Sequence, residues 1–183
     1  MIDFKNFSKL DWESYFSEHP KYRHIAGYGN YDKEFSEEAL RKTEVFLRNI
    51  KGDVLELGGA RGERAIHCLR SSAVKSWEII DLYDSPLKLT HPKLQYTFGD
   101  ALWNLEHHKP VDCIFSCRFL ECLELQDLGD LIKEMNRVAA KQYHIVTLYK
   151  ETKYYNAQTM EWWKGRDFAP GTTIISFQEF LKL

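Results

Sequence analysis

VLELGGARG, running from Val54 to Gly62, is the stretch that decides how the rest of the chain is read. Apolar Val54, Leu55 and Leu57, with Glu56 among them, lead straight into Gly58-Gly59-Ala60-Arg61-Gly62. A short apolar run bounded by glycines is a strand signal. The glycines after it serve one of two ends. They close a tight turn, or they let a ligand approach the backbone where a Cβ would stand in its way. Residues 63–71 read as a helix, and the free N–H groups of a helix start favour a carboxylate or phosphate. Strand, glycine loop and helix in this order suit a cradle better than a hairpin.

Working outward, the pattern before the loop is helical. Trp12, Tyr15 and Phe16 are spaced as on one helix face. Tyr22 to Tyr31, YRHIAGYGNY, is an aromatic loop broken by Gly27 and Gly29. Ser36 is a suitable N-cap for a helix carrying Ala39, Leu40, Val45 and Phe46, which ends at Lys51-Gly52. After the loop, apolar runs recur at Trp77–Asp81, Leu94–Phe98, Val111–Phe115 and Tyr143–Leu148, with helical periodicity over 120–139. Pro86 and Pro92 keep any helix between the second and third runs short. Strands alternating with helices give βαβ units and parallel pairing. The expected fold is therefore α/β: a three-layer, doubly wound, mostly parallel sheet with an N-terminal helical cap. One domain over 1–183 is expected, with a cap or lid over 1–50, a core over 51–150 and a substrate-side segment over 151–183.

Composition excludes some classes. Of 183 residues, 44% are hydrophobic and 28% charged, with a net charge of −2, so the chain is ordinary globular material without the basic excess that phosphate neutralisation needs. No apolar run approaches the ~18–20 residues that span a bilayer, and the N-terminus lacks a leader pattern. A cytoplasmic protein with no membrane partner is expected. Cys68, Cys113, Cys117 and Cys122 form no C-x-x-C pair and read as small core residues, so no metal is expected. His107 and His108 fall in a polar loop between the third and fourth strands.

The loop itself fails two nucleotide fingerprints. Counted from Gly58, the third residue of a G-x-G-x-x-G would be Ala60 and the sixth Glu63, and no G-K-S/T follows. What remains is E-x-G-x-x-x-G, with Glu56, Gly58 and Gly62. With Asp81 ending the second strand, Gly99-Asp100-Ala101 after the third, and VDCIFSCRFLE, Val111 to Glu121, across the fourth, the sequence resembles the class I S-adenosylmethionine-dependent methyltransferases over residues 50–150.

The resemblance implies a Rossmann-like methyltransferase fold with S-adenosylmethionine as cofactor and S-adenosylhomocysteine as product. It implies cofactor contacts from Glu56, Gly58, Gly59, Ala60, Arg61, Gly62, Asp81, Leu82, Asp100, Ala101 and Ser116. Asp81 would accept from both ribose hydroxyls and Asp100 from the adenine amino group, as suits a carboxylate facing donors. Glu56 either touches the ligand or holds loop amides. Arg61 either pairs with the cofactor carboxylate or points to solvent. Arg118, after the fourth strand, either holds an anionic group of the acceptor or caps a surface helix. Tyr22, His24, Tyr28 and Tyr31 form a lid or a packing strap; as a lid, Tyr22 and Tyr31 meet the substrate, and His24 or Tyr28 supplies a general base. Trp162 lines the substrate pocket or fills the core.

The family fold closes with an antiparallel strand pair after the helix that the capping box Ser176-Phe-Gln-Glu179 opens. No residues are present here to form it, so an incomplete strand pair is expected, with a homo-oligomer or partner at the open edge. Balanced charge and the small cap favour a small-molecule acceptor over nucleic acid. An RNA or protein acceptor, and a catalytically silent binding module, are the alternatives.

Overall fold

A computed structural model describes residues 36–82, 84, 88–123, 125–148 and 158–183. Within them the chain forms α1 (Glu37–Phe46), β1 (Gly52–Leu57), α2 (Glu63–Cys68), β2 (Val74–Asp81), β3 (Leu94–Phe98), α3 (Ala101–Glu106), β4 (Cys113–Cys117), a 3-10 turn (Leu120–Cys122), α4 (Leu125–Val138), β5 (Lys141–Val146), α5 (Met160–Lys164), β6 (Gly171–Ser176) and α6 (Phe177–Phe180). The six strands form one sheet in the order β3-β2-β1-β4-β5-β6. Every neighbouring pair is parallel.

The order reverses between β1 and β4. From β1 the chain winds outward through β2 to β3, then crosses back to β4 and winds the other way. Two apolar clusters cover the two faces. Leu47, Ala65, Cys68, Leu69 and Phe180 pack α1, α2 and α6 on one face around Trp77 and Phe115. Leu105, Leu128, Leu131, Ile132, Met135 and Trp163 pack α3, α4 and α5 on the other around Leu55, Leu57 and Ile114. This is a doubly wound three-layer sheet, and its crevice lies beyond the carboxyl ends of β1 and β4.

Several elements differ from the sequence reading. The sheet is wholly parallel among the described residues, because β6 lies beside β5 in parallel register from Lys141↔Gly171 to Val146↔Ser176. The β-branched run Thr172-Thr-Ile-Ile175 that forms it is short and mostly half-exposed at the sheet edge, so it carries little alternation to read. The expected loop between β3 and β4 contains α3, capped by Asp100, whose carboxylate accepts from Trp103 N at 2.9 Å. The helix expected over 120–139 divides into the 3-10 turn and α4. Ser36 does cap α1, accepting from Ala39 N at 3.2 Å.

α4 is amphipathic, burying Leu128, Leu131, Ile132, Met135 and Val138 at helical spacing. Gly129 lies on its other side, where an added Cβ would meet nothing within 4 Å. Gly129→Ala is expected to stabilise the chain by about 0.5–1 kcal/mol, since it relieves the helix of glycine's entropy without a clash. Urea unfolding checks this; a loss of stability would mean that another surface packs there.

Candidate functional site: the crevice above β1 and β4

The glycine loop is folded tightly onto its own sheet. Gly58 (φ 74°), Ala60 (φ 50°) and Gly62 (φ 85°) all sit in left-handed backbone conformations. Ala60 is the exception that needs explaining, because a Cβ makes that region costly by about 1–2 kcal/mol. Its N–H donates to Asp81 Oδ2 at 2.8 Å, so the carboxylate at the end of β2 pins the strained residue. Arg61 C=O is pinned as well, accepting from Leu89 N at 2.8 Å and from the Tyr96 hydroxyl at 2.8 Å. A Cβ on Gly62 would fall 2.3 Å from Tyr96 Oη, and one on Gly59 would fall 2.8 Å from Ile79 and 2.9 Å from Glu56 Cδ. The glycines are therefore required by the protein's own packing, and their presence alone does not argue for a ligand.

Beneath the loop lies a buried charge pair. Glu56 is fully buried; Oε2 accepts from the Trp77 indole at 2.9 Å, and Oε1 has no hydrogen-bond partner among the described residues. Burial pushes its pKa up to about 7, against the pull of the buried Arg64 guanidinium and the Trp77 bond. Glu56 thus holds Trp77 from beneath the loop. Arg61 Nε lies 2.9 Å from Glu63 Oε1, a partner within the chain that the sequence did not suggest. α2 spans six residues, shorter than the expected 63–71, so its dipole contributes less to anion binding than the sequence suggested.

The turn after β4 leans over this loop. Arg118 adopts φ 55°, and its N–H donates to Ile145 O at 2.7 Å. Its guanidinium stacks over Phe177 with 5.1 Å to the ring centre. The sharp reversal brings Phe119 against the glycine loop, where a Cβ on Gly58 would meet its ring at 2.7 Å. Glu121 is fully buried one step later. Its Oε1 accepts from Thr147 N at 2.8 Å and ties the 3-10 turn to the end of β5, while Oε2 has no hydrogen-bond partner among the described residues. Burial pushes its pKa up to about 7, with the Thr147 bonds and Arg118 opposing.

Three adjacent parallel strands thus end in a pinned glycine turn, in Asp81 and in Asp100, all at one edge of the sheet. Solved structures share this architecture. A SAM-dependent methyltransferase from Archaeoglobus fulgidus matches at 21% identity with a TM-score of 0.50, covering 74% of this chain and 61% of that one. The plantazolicin methyltransferase BpumL, solved with a monoazolic desmethylPZN analog and SAH, matches at 16% identity and a TM-score of 0.50, covering 70% of this chain and 52% of that one. The fold is that of the S-adenosylmethionine-dependent methyltransferases. WbdD, co-crystallised with the kinase inhibitor LY294002, aligns at 13% identity and a TM-score of 0.51 over 74% of this chain and 36% of its own. The chain thus spans 36% to 61% of the length of these three solved chains. No family model matches the chain, and no curated protein does.

Set in the methyltransferase fold, the expected cofactor residues divide. Gly58, Gly59, Ala60, Gly62, Asp81, Leu82 and Asp100 do gather at the carboxyl edge of β1, β2 and β3. Asp81 has one acceptor oxygen engaged by Ala60; a carboxylate offers about four lone-pair sites, so it still suits ribose hydroxyls. Asp100 is exposed and caps α3 through Oδ1. Ala101, the first residue of α3, packs into the core.

Ser116 departs from its expected role. It is fully buried, and its hydroxyl is bonded to His144 Nδ1 at 2.8 Å, within a chain that continues from His144 Nε2 to Gln142 at 3.1 Å. Burial holds the His144 pKa down at about 3, so the ring is neutral and the network is part of the core. Trp162 is half-buried, carries the Arg166 guanidinium at 4.1 Å and meets Trp163 edge-on at 5.0 Å. Tyr22, His24, Tyr28 and Tyr31 lie outside the described residues. Among the described residues no helix is long and apolar enough to cross a membrane.

Sequence reasoning missed Arg64, Tyr96 and Phe119. Nothing local marks Arg64 as buried, and Tyr96 reads as one strand aromatic among others. Tyr96→Phe removes the hydroxyl whose one proton is shared between Arg61 C=O and Leu89 C=O (2.9 Å) but keeps the ring stacked on Phe98. It is expected to cost about 1 kcal/mol and to speed amide exchange across 58–62. Exchange rates that stay at the wild-type value would show that Leu89 alone fixes the loop.

Proposed function

We propose that the chain binds S-adenosylmethionine in the crevice above β1 and β4 and transfers its methyl group to a small-molecule acceptor. One observation carries the reading: a pinned glycine turn, Asp81 and Asp100 end three consecutive parallel strands at the switch point of a methyltransferase fold. The donor and acceptor chemistry fits. Asp81 accepts from vicinal hydroxyls, exposed Asp100 accepts from an amino group, and Phe119 offers an apolar wall beside Gly58. The bound sulfonium supplies an activated methyl group. The chain's own task is alignment and exclusion of water. Arg118, at the end of β4, is the residue proposed to meet an anionic group on the acceptor.

The net charge of −2 supports a small acceptor over a nucleic acid. The test is turnover with methyl-labelled S-adenosylmethionine against panels of small oxygen, nitrogen and sulfur nucleophiles, oligonucleotides and proteins. Label in a small product supports the proposal. Label only in RNA or protein would replace the acceptor class. Cofactor binding with no label transferred anywhere would favour a silent binding module.

A further inference from the structure

The opposite edge of the sheet carries a second feature that methyl transfer does not use. A cleft of about 630 Å³ opens at the amino ends of β1, β5 and β6. It is lined by Arg48, Lys51, Lys141 and Tyr143, among other residues. Since the strands are all parallel, it lies away from Asp81 and the glycine loop, which sit at the carboxyl ends. A volume between about 300 and 1,000 Å³ suits a small molecule.

The lining of this cleft carries three cations. Arg48, Lys51 and Lys141 are exposed and make no ion pair among the described residues. Asp112 and Asp53 stand at the same amino ends and keep their charge, each accepting only from an uncharged donor, while Glu44, one turn before Arg48, pairs with His67. Asp112 accepts from Asp53 N at 2.8 Å, and Asp53 accepts from the Ser76 hydroxyl at 2.6 Å. Tyr143 adds a directed donor. Its residue is only 9% exposed, with the ring packed in the core and set edge-on to Phe46 at 5.7 Å. Its hydroxyl makes no hydrogen bond among the described residues and is not one of the buried unpaired polar atoms, so it reaches the open cleft while the ring is buried. Burial pushes the phenol's pKa up, so it remains a donor at neutral pH.

We propose that this cleft binds the phosphoryl oxyanion of a small molecule, held by Arg48, Lys51 and Lys141 and oriented by the Tyr143 hydroxyl. Guanidinium and ammonium groups supply the charge that such an oxyanion needs, and the phenol supplies a short neutral hydrogen bond. The site is independent of the cofactor crevice and of whether the chain turns over.

The test is a titration of the isotope-labelled full chain with inorganic pyrophosphate, followed by amide shifts at ionic strength fixed with chloride. Saturable shifts confined to 48–51, 141–143 and 171–173 are expected. Tyr143→Phe, which retains the ring against Phe46, should weaken binding by about tenfold. Paired Lys51→Gln and Lys141→Gln, both at exposed positions, should abolish saturation. Shifts scattered over lysines across the whole surface, or an affinity unchanged in both variants, would overturn the proposal. So would a short single-stranded oligonucleotide that binds here while pyrophosphate does not.

Discussion

Asp81→Ala is expected to weaken S-adenosylhomocysteine binding by at least about two orders of magnitude. The carboxylate is assigned two hydrogen bonds from ribose, and bonds to a charged group contribute about 1.5–3 kcal/mol each. The same variant strips Ala60 N–H of its partner at 2.8 Å, in a residue held at φ 50°. A further stability loss of about 1–2 kcal/mol should follow, because the strained turn loses the contact that fixes it. The two losses are separable. Asp81→Asn keeps an acceptor for Ala60 N–H, so it should unfold close to wild type, yet it offers an amide donor where a second hydroxyl must donate. Calorimetry on both variants checks this. An asparagine variant that binds within a few-fold of wild type would remove Asp81 from the ligand site and leave it only a loop clamp.

Stability is expected to peak in mildly acidic solution and to fall by up to about 4 kcal/mol by pH 7.5. Glu56 and Glu121 are buried without full pairing, and burial raises each from 4.5 to about 7. The folded state therefore holds more protons than the unfolded chain between those values, and stability falls as pH rises through that window. His144 works in the other direction: burial lowers it from 6.5 to about 3, so its contribution is lost as pH falls below its unfolded value. From pH 4.5 to 6.5 two falling contributions oppose one rising one; above 6.5 the two carboxyls act alone. Glu56→Gln and Glu121→Gln should each flatten the decline, with the larger gain at pH 7.5. Urea midpoints collected from pH 4.5 to 8 test it, and a stability that rises steadily to pH 8 would contradict the buried, partly unpaired state of both residues.

The strands nearest the site were the legible part of the sequence. β3 stands where its apolar run placed it, and β1 and β2 end on the residues that carry the glycine turn and Asp81. β1 is central and buried on both faces, so hydrophobicity marks it strongly, whereas β3 is a half-exposed edge strand marked by its aromatic and β-branched residues Tyr96, Thr97 and Phe98. β6 is at the edge and half-exposed, and α3 is a six-residue helix with two histidines just after it, so both were lost to loop-like composition. At the site, positions were legible but partners were not. That Arg61 would turn to Glu63, that Ser116 would bond His144, and that Glu56 would lie under Trp77 all depend on contacts between separate elements. Spacing along the chain carries no record of them. Tyr96 illustrates the same limit, since its hydroxyl reaches Arg61 C=O from 35 residues away.

The most direct test of the account is a calorimetric titration of the wild-type chain with S-adenosylhomocysteine, on protein shown by cooperative unfolding to be folded. The account predicts saturable heat, one site per chain and micromolar affinity. The absence of heat would contradict it, and would leave a methyltransferase fold whose crevice serves some other ligand or none.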